Sequence, residues 1–140
     1  MRALALALLA SLVFAQAQAH GEDNIVVVVS ANSPVQQLSR ADISALYLGT
    51  LGSNEAAHKL RPLDLEDGSA RDSFYSYLVN RSRNQLRAYW SRMVFTGKGK
   101  PPRVYPLDAI RQALQADPGV IAYLPRSELN DDMRALLALP

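Results

Sequence analysis

The chain has 140 residues, of which 49% are hydrophobic, and its 15 basic and 13 acidic side chains leave a formal net charge of +2. A balance so close to neutral gives no overall field that would attract nucleic acid or an anionic membrane, so charge has to be interpreted locally. The sequence contains no cysteine, which excludes disulfides, thiolate nucleophiles and thiolate metal sites.

The first twenty residues have the pattern of a secretory signal peptide. A single positive charge at Arg2 precedes an apolar run over residues 3–15, and a small-x-small pattern ends at Ala19. The apolar run is too short to span a membrane. We expect cleavage after Ala19, so that residues 1–19 are a leader and residues 20–140 form one domain in a bacterial periplasm. Loss of Arg2 with the leader would lower the net charge from +2 to +1.

Strand patterns occur at three places after the leader. The β-branched run Ile25–Val29 predicts a strand buried on both faces, as in a parallel sheet. Leu60–Leu65 predicts an edge or irregular strand, because it contains Pro62. Val120–Leu124 predicts a third strand. The tail, residues 133–139, fits a strand and a helix equally.

Four helices are predicted from capping residues and apolar spacing. The first follows Ser39 and ends at Gly49, and the second runs from about Ala70 to Val79. The third follows Ser82 and ends near Val94, and the fourth runs from about Ala109 to Ala116. In the second of these, Phe74, Tyr77 and Leu78 are predicted to share the buried face. Strands that alternate with helices predict an α/β fold with a mostly parallel sheet.

The segment LEDGSARDSFYSYL places Gly68, Ser69 and Arg71 where a strand gives way to a helix. The first amides of a helix have no internal partner and carry partial positive charge, so an anion is stabilised there. Gly68 would allow a sharp turn and the close approach of a ligand, and Ser69 would cap the helix.

Arg71 is the informative residue of this segment, because a cation in the first turn opposes the helix dipole by ~0.3–1 kcal/mol unless a negative charge lies nearby. That charge comes either from a ligand or from a neighbour among Glu66, Asp67 and Asp72. The second alternative describes a locally neutralised helix end without a ligand.

Polar residues that follow two other strands extend this candidate site. In an open parallel sheet, ligands bind beyond the carboxyl ends of the strands. Asn32 and Ser33 follow the first strand, and Arg126 and Ser127 follow the strand that begins at Val120. We therefore expect these side chains to converge on the crevice beside Gly68.

Four segments, in order, resemble the periplasmic phosphate-binding proteins of ABC transporters: IVVVVSANSPVQQLSRADISALYLG, LEDGSARDSFYSYL, NQLRAYWSRMVFTGKGK and DPGVIAYLP. In that family a hinge strand leads to an IYLG helix, a D-G-S-G-T stretch binds phosphate at a helix N-terminus, and a P-G-A-I-G-Y strand returns to the hinge. The resemblance implies a single lobe of a type 2 periplasmic-binding protein. It implies phosphate or a related oxyanion as ligand and association with an ABC transporter.

The resemblance also implies which residues bind the ligand. The phosphate-binding stretch falls on Asp67, Gly68, Ser69, Ala70 and Arg71, to which Asn32 and Ser33 are added. Ala70 and Arg71 stand where the family has its second glycine and its threonine, and Leu65 stands where the family has an arginine. Family members close two lobes on the ligand, whereas this chain has room for one. We therefore expect weak binding, or binding completed by another chain, with Arg71 partly replacing the lost arginine.

Other classes of function have less support in the sequence. The arginines of residues 81–92 would suit an acidic partner or, with Tyr89 and Trp90, nucleic acid, but helical spacing places these aromatics in the core. His20, as a new N-terminus, and His58 are too few to make a usual metal site. No serine stands in a nucleophile context, so we expect no catalytic residue and no cofactor. A periplasmic protein-interaction or sensory module with a vestigial ligand site, facing an envelope partner, stays open as the alternative.

Overall fold

The computed structural model describes residues 24–140, so the predicted leader and His20 lie outside the described residues. Its strands are β1 (Ile25–Ser30), β2 (Arg61–Leu65), β3 (Arg103–Tyr105), β4 (Val120–Pro125) and β5 (Met133–Ala138). Its α-helices are α1 (Arg40–Leu48), α2 (Ser69–Val79), α3 (Arg83–Phe95) and α4 (Leu107–Ala116). The strands form one sheet in the order β3-β2-β4-β1-β5.

Strand β1 lies between β4 and β5 and runs antiparallel to both. All six of its residues are buried, as the sequence predicts. The expectation of parallel neighbours for this strand is wrong, because an unbroken apolar run reports two covered faces and carries no information on strand direction. The other four strands run in one direction, which confirms the predicted α/β fold with a mostly parallel sheet.

Strand β2 lies between β3 and β4, so of the two alternatives that Pro62 suggested, an edge strand or an irregular one, the edge strand is wrong. It pairs with β4 through Arg61 and Pro62, and with β3 through Leu63 to Leu65. Each half of β2 is therefore paired on one side only. Pro62, which has no N–H to donate, lies in the half that does not pair with β3. After Pro62, where the pairing of β2 with β4 ends, the Tyr47 hydroxyl donates to the carbonyls of Leu63 at 2.9 Å and Ile121 at 3.3 Å.

Helices α1 and α3 begin at their predicted caps, and α1 also ends at its predicted residue. Ser39 and Ser82 each form a complete capping box, the first with Asp42 and the second with Gln85. Gly49 ends α1 in the left-handed conformation, with φ of 66°. The undecided tail forms β5, and the three-residue strand β3 has no counterpart in the sequence prediction because it is too short to show a period.

An aromatic cluster fills the space between α1, α2 and the sheet. Tyr47, Phe74, Tyr75 and Tyr123 are all at most 2% exposed, and the rings of Phe74 and Tyr123 stack at 3.7 Å. Tyr77, predicted to be on the buried face, is 40% exposed, and its neighbour Tyr75 is buried instead. None of the helices within residues 24–140 has the length and apolar character that a membrane span requires.

Candidate functional site

The strand directions divide the predicted site residues between two ends of the sheet. Strands β2 and β4 are parallel, so the segment after Leu65 lies at the same end as Arg126 and Ser127. Strand β1 runs the other way, since Ile25 pairs with Pro125 and Val29 with Ile121. The predicted convergence of Asn32 and Ser33 with Gly68 is therefore wrong: these two residues follow β1 at the opposite end.

Asn32 and Ser33 take part in a loop that is fixed by the protein itself. Asn32 is exposed, whereas Ser33 is 3% exposed and its hydroxyl accepts a hydrogen bond from the amide of Val35. The guanidinium of Arg134, from β5, donates to the carbonyls of Ala31, Ser33 and Val35 at 2.8–3.0 Å. These contacts give Ser33 a structural role in the loop.

The predicted anion site lies at the start of α2, where two expectations need correction. The N-cap residue is Gly68, and no side chain makes a capping hydrogen bond, so Ser69 is the first helical residue and does not cap the helix. Gly68 has φ of 168°, an extended backbone that any residue adopts, so no sharp turn requires glycine here. Ser69 is exposed, and Ala70 packs against the core.

The charge near Arg71 is supplied by the protein, and one of its sources is a residue that the sequence analysis missed. Asp64, at the end of β2, is 1% exposed. Its carboxylate accepts hydrogen bonds from the hydroxyls of Tyr75, at 2.8 Å, and Tyr123. Arg71 donates to the same carboxylate through Nε at 3.2 Å, and its side chain is 15% exposed. Three donors thus compensate the buried charge of Asp64.

The electrostatics of this network oppose release of its protons. Burial lowers the pKa of Arg71, but the charge of Asp64 raises it above its ordinary value. Burial, together with the charge of Asp64, also raises the pKa of Tyr75 and Tyr123. Arg71 therefore stays charged and both hydroxyls stay donors, which keeps this end of β2 joined to α2 and β4.

A second carboxylate, that of Asp67, lies between two arginines at the surface. Its Oδ1 is 3.2 Å from Nη1 of Arg71 and 3.9 Å from Nε of Arg83. The Asp67 side chain is 56% exposed, so solvent screens both contacts. Arg83 also forms a two-pronged pair with Asp72, at 3.1 and 2.8 Å. A negatively charged oxygen thus occupies the position between these two guanidiniums.

These residues form one wall of a cleft of about 260 Å³ between α3 and β3. The cleft is lined by Asp64, Asp67, Arg71, Arg83, Leu86, Arg87, Trp90, Pro101, Pro102 and Val104. Three arginines and two aspartates give its lining a positive excess. Within residues 24–140, Arg87 has no acidic side chain at ion-pair distance.

Sequence signals for the missed residues were present but weak. Asp64 is an acid inside the apolar segment Leu60–Leu65, and a buried acid needs partners, which marks it as unusual. Arg83 and Arg87 are four residues apart and so share one helix face. Neither pattern indicates which element lies opposite.

The histidine that the structure describes takes no part in this site. Nε2 of His58 lies 2.9 Å from the carbonyl oxygen of Gly52, in an exposed loop. Among residues 24–140, no group of three or more histidine, cysteine, aspartate or glutamate side chains is placed to hold a metal ion.

Comparison with solved structures identifies the fold as that of phosphate-transport substrate-binding proteins. A Clostridium perfringens protein described as a phosphate ABC transporter substrate-binding protein, solved with bound phosphate, matches with a TM-score of 0.58 and 21% identity. An ABC-type phosphate transport receptor from Vibrio cholerae matches with a TM-score of 0.58 and 17% identity. No protein-family model and no curated protein sequence matches the chain.

The share of each structure that is matched shows how much of that fold is present. Both alignments cover 81% of this chain, but only 44% of the Clostridium protein and 45% of the Vibrio protein. The chain thus spans less than half the length of these structures, and its sheet and four helices correspond to a single lobe of a periplasmic-binding fold. This confirms the predicted fold relationship.

Proposed function

We propose that the protein is a periplasmic, non-enzymatic substrate-binding-like protein that binds phosphate or a related oxyanion in the cleft at the start of α2. The observation that carries the proposal is the position of the Asp67 carboxylate between Arg71 and Arg83. A site that already holds one negatively charged oxygen between two guanidiniums suits the oxygens of a tetrahedral anion. The uncapped amides at the start of α2 add partial positive charge nearby.

The pairing of Arg71 with Asp64 changes the role that the sequence analysis gave to this arginine. Because a buried carboxylate balances Arg71, it offers less free charge than a ligand-binding arginine would. Arg87, on α3, is the arginine of the cleft without an acidic partner within residues 24–140, whereas Arg83 is 40% exposed but is paired with Asp72. An incoming oxyanion would displace the exposed carboxylate of Asp67 and leave the buried carboxylate of Asp64 in place.

The open geometry sets the strength of binding. One lobe contacts one side of the anion, and water screens the other side, so each charge-assisted hydrogen bond contributes less than in a closed cleft. We expect a dissociation constant on the order of 1 mM, which corresponds to about −4.1 kcal/mol. Binding completed by another chain, such as a transporter subunit, would be tighter.

Isothermal titration with phosphate and with sulfate tests this function. We expect heat of binding from the unmodified protein, a loss of affinity of fivefold or more in Arg83→Ala, and little change in Arg92→Ala. Arg92 is the matched control, because it is an exposed arginine of the same helix that does not line the cleft. Absence of binding to both anions in the unmodified protein would contradict the proposal.

A second candidate, a protein-interaction or sensory module with a vestigial ligand site, is favoured by a different observation. Phe95, at the end of α3, is 92% exposed and Leu51 is 90% exposed, while the protein's own carboxylates neutralise Arg71. A partner that covered these two side chains would remove their apolar surface from water. Co-purification of an envelope protein with the unmodified chain, lost in a Phe95→Ser and Leu51→Ser double variant, together with no anion binding, would favour this candidate.

A further inference from the structure

The cleft beside α2 is larger and more apolar than a bare oxyanion requires. Its volume of about 260 Å³ approaches the ~300 Å³ at the small end of small-molecule sites. The charged side chains lie toward α2 and along one face of α3. The rest of the cleft therefore has to be explained by something other than a tetrahedral anion.

The remaining wall consists of apolar side chains. Leu86 and Trp90 of α3 form one part, and Pro101, Pro102 and Val104 form the other. Val104 is 51% exposed, although it lies in a strand that joins the sheet. Apart from the indole N–H of Trp90, which is buried and has no partner among the described residues, such a surface offers no hydrogen bond to an inorganic ion, but it is stabilised when an apolar group covers it.

Arg87 joins the two parts of the cleft. It lies one turn beyond Arg83 on α3, and its neighbours in the cleft include Leu86 and Trp90. Its guanidinium has no acidic partner within residues 24–140. A planar guanidinium donates hydrogen bonds to an oxyanion and also stacks on flat apolar groups. The cleft therefore presents a cationic end and an apolar end to the same ligand.

From this arrangement we infer that the ligand class is an organic phosphate, a phosphoryl group that carries a compact apolar substituent. The inference rests on the proposed oxyanion function and specifies the chemistry of its ligand. The phosphoryl oxygens replace the Asp67 carboxylate near Arg71 and Arg83, and Arg87 contacts them from α3. The substituent covers Val104 and the two prolines.

Titration of the protein with inorganic phosphate, methyl phosphate and phenyl phosphate tests the inference. We expect phenyl phosphate to bind roughly tenfold more tightly than inorganic phosphate, with methyl phosphate between them, because each larger substituent removes more apolar surface from water. In Val104→Ser this preference should fall by a factor of three or more, while the affinity for inorganic phosphate stays the same. Val94→Ser is the control, because Val94 is 56% exposed on α3 but does not line the cleft.

The outcomes separate this inference from the function on which it rests. Equal affinity for phenyl and inorganic phosphate would overturn the inference and leave the proposed oxyanion function standing. A preference for phenyl phosphate that Val104→Ser does not reduce would also overturn it, since the substituent would then lie elsewhere. Failure of all three ligands to bind would overturn both proposals. Folding of each variant is checked by its circular dichroism spectrum and thermal midpoint.

Discussion

The guanidinium of Arg71 lies 3.2 Å from the carboxylate of Asp64, a residue that is 1% exposed at the end of β2. The pair joins the first turn of α2 to the sheet, and the hydroxyls of Tyr75 and Tyr123 complete the coordination of the carboxylate. Arg71 is thus a structural residue as well as a member of the cleft, so its replacement would affect both the stability of this end of the sheet and anion binding.

Replacement of Asp64 should therefore destabilise the fold. In Asp64→Ala the guanidinium of Arg71 loses its buried partner and two hydroxyls lose their acceptor, so we expect a loss of about 3 kcal/mol, at the lower end of the ~3–5 kcal/mol range for a broken buried pair. Urea denaturation measures the free energy of unfolding. Asp131→Ala, at an exposed loop position, is the control and should change it by less than ~0.5 kcal/mol. A loss as small as that of the control would show that the pair contributes nothing.

Replacement of Asp67 should strengthen anion binding. Asp67→Asn removes the negative charge that competes with a ligand between Arg71 and Arg83, and a charge at ~4 Å in water-like surroundings is worth ~1 kcal/mol. We expect phosphate to bind about fivefold more tightly, with a stability change of at most ~1 kcal/mol, as for exposed ion pairs. Asp131→Asn, on a loop at the opposite end of the sheet, should leave the affinity unchanged. Weaker binding in Asp67→Asn would mean that Asp67 contacts the ligand favourably.

Replacement by alanine should leave the stability unchanged at Gly68 and lower it at Gly49. Gly68 has an extended backbone, and a Cβ there would meet only the carbonyl oxygen of Glu66, at 3.9 Å, so Gly68→Ala should be neutral within ~0.5 kcal/mol. Gly49 has φ of 66°, and a Cβ there would lie 3.1 Å from Cη2 of Trp90. The left-handed conformation alone costs a non-glycine residue ~1–2 kcal/mol, so Gly49→Ala should lower stability by at least this amount. Thermal unfolding of the two variants compares them directly.

Removal of the Arg134 side chain should loosen the loop that follows β1. Its guanidinium donates to three carbonyls, and hydrogen bonds to charged groups contribute ~1.5–3 kcal/mol each without adding fully, so Arg134→Ala should cost about 3 kcal/mol. Amide hydrogen exchange should accelerate at Ser33 and Val35. Arg92→Ala, on the surface of α3, should leave both the stability and the exchange rates unchanged. Normal exchange in Arg134→Ala would show that the loop is held by other contacts.

The buried tyrosines should limit stability at alkaline pH. Burial raises the pKa of Tyr47, Tyr75 and Tyr123, three of the six tyrosines of the chain. A raised pKa in the folded state means that the folded protein holds these protons more firmly. The resulting stability is complete below the ordinary tyrosine pKa of ~10 and is lost as the pH rises above it.

Absorbance of tyrosinate at alkaline pH measures this effect. We expect the signal of the three buried hydroxyls to rise together with unfolding, as followed by circular dichroism. In Tyr75→Phe, two buried tyrosines instead of three should ionise in the alkaline unfolding transition. Ionisation of the buried tyrosines at pH ~10 while the fold is intact would contradict the raised pKa of these groups.

Much of the fold was predictable, because its signals are local. The capping boxes at Ser39 and Ser82 and the left-handed Gly49 set helix ends through contacts within a few residues. The direction of β1 and the interior position of β2 were not predictable, since both depend on pairing between segments far apart in the chain. Capping residues can be read locally, but strand order and the exposed position of Tyr77 cannot.

The same distinction applies to the candidate site. The segment from Asp67 to Arg71 was predicted as a site from helix-end chemistry, and of its five residues Asp67 and Arg71 line the cleft. The resemblance to phosphate-binding proteins indicated the class of fold. Asp67, one of the predicted neighbours of Arg71, does pair with it, but the buried partner was missed, because Asp64 lies in a strand and reaches the arginine only after β2 and α2 have packed. The positions of Asn32 and Ser33 were predicted wrongly because the direction of β1 was predicted wrongly. A strand that runs the other way places the residues after it at the other end of the sheet.

The position of β1 has a consequence for the order in which the sheet can form. This strand is the first of the described strands, yet both of its neighbours are the last two: Val27 pairs with Tyr123 in β4 and with Leu137 in β5. The apolar middle of the sheet therefore stays open until β4 and β5 have been made, and such long-range pairing is slow to form.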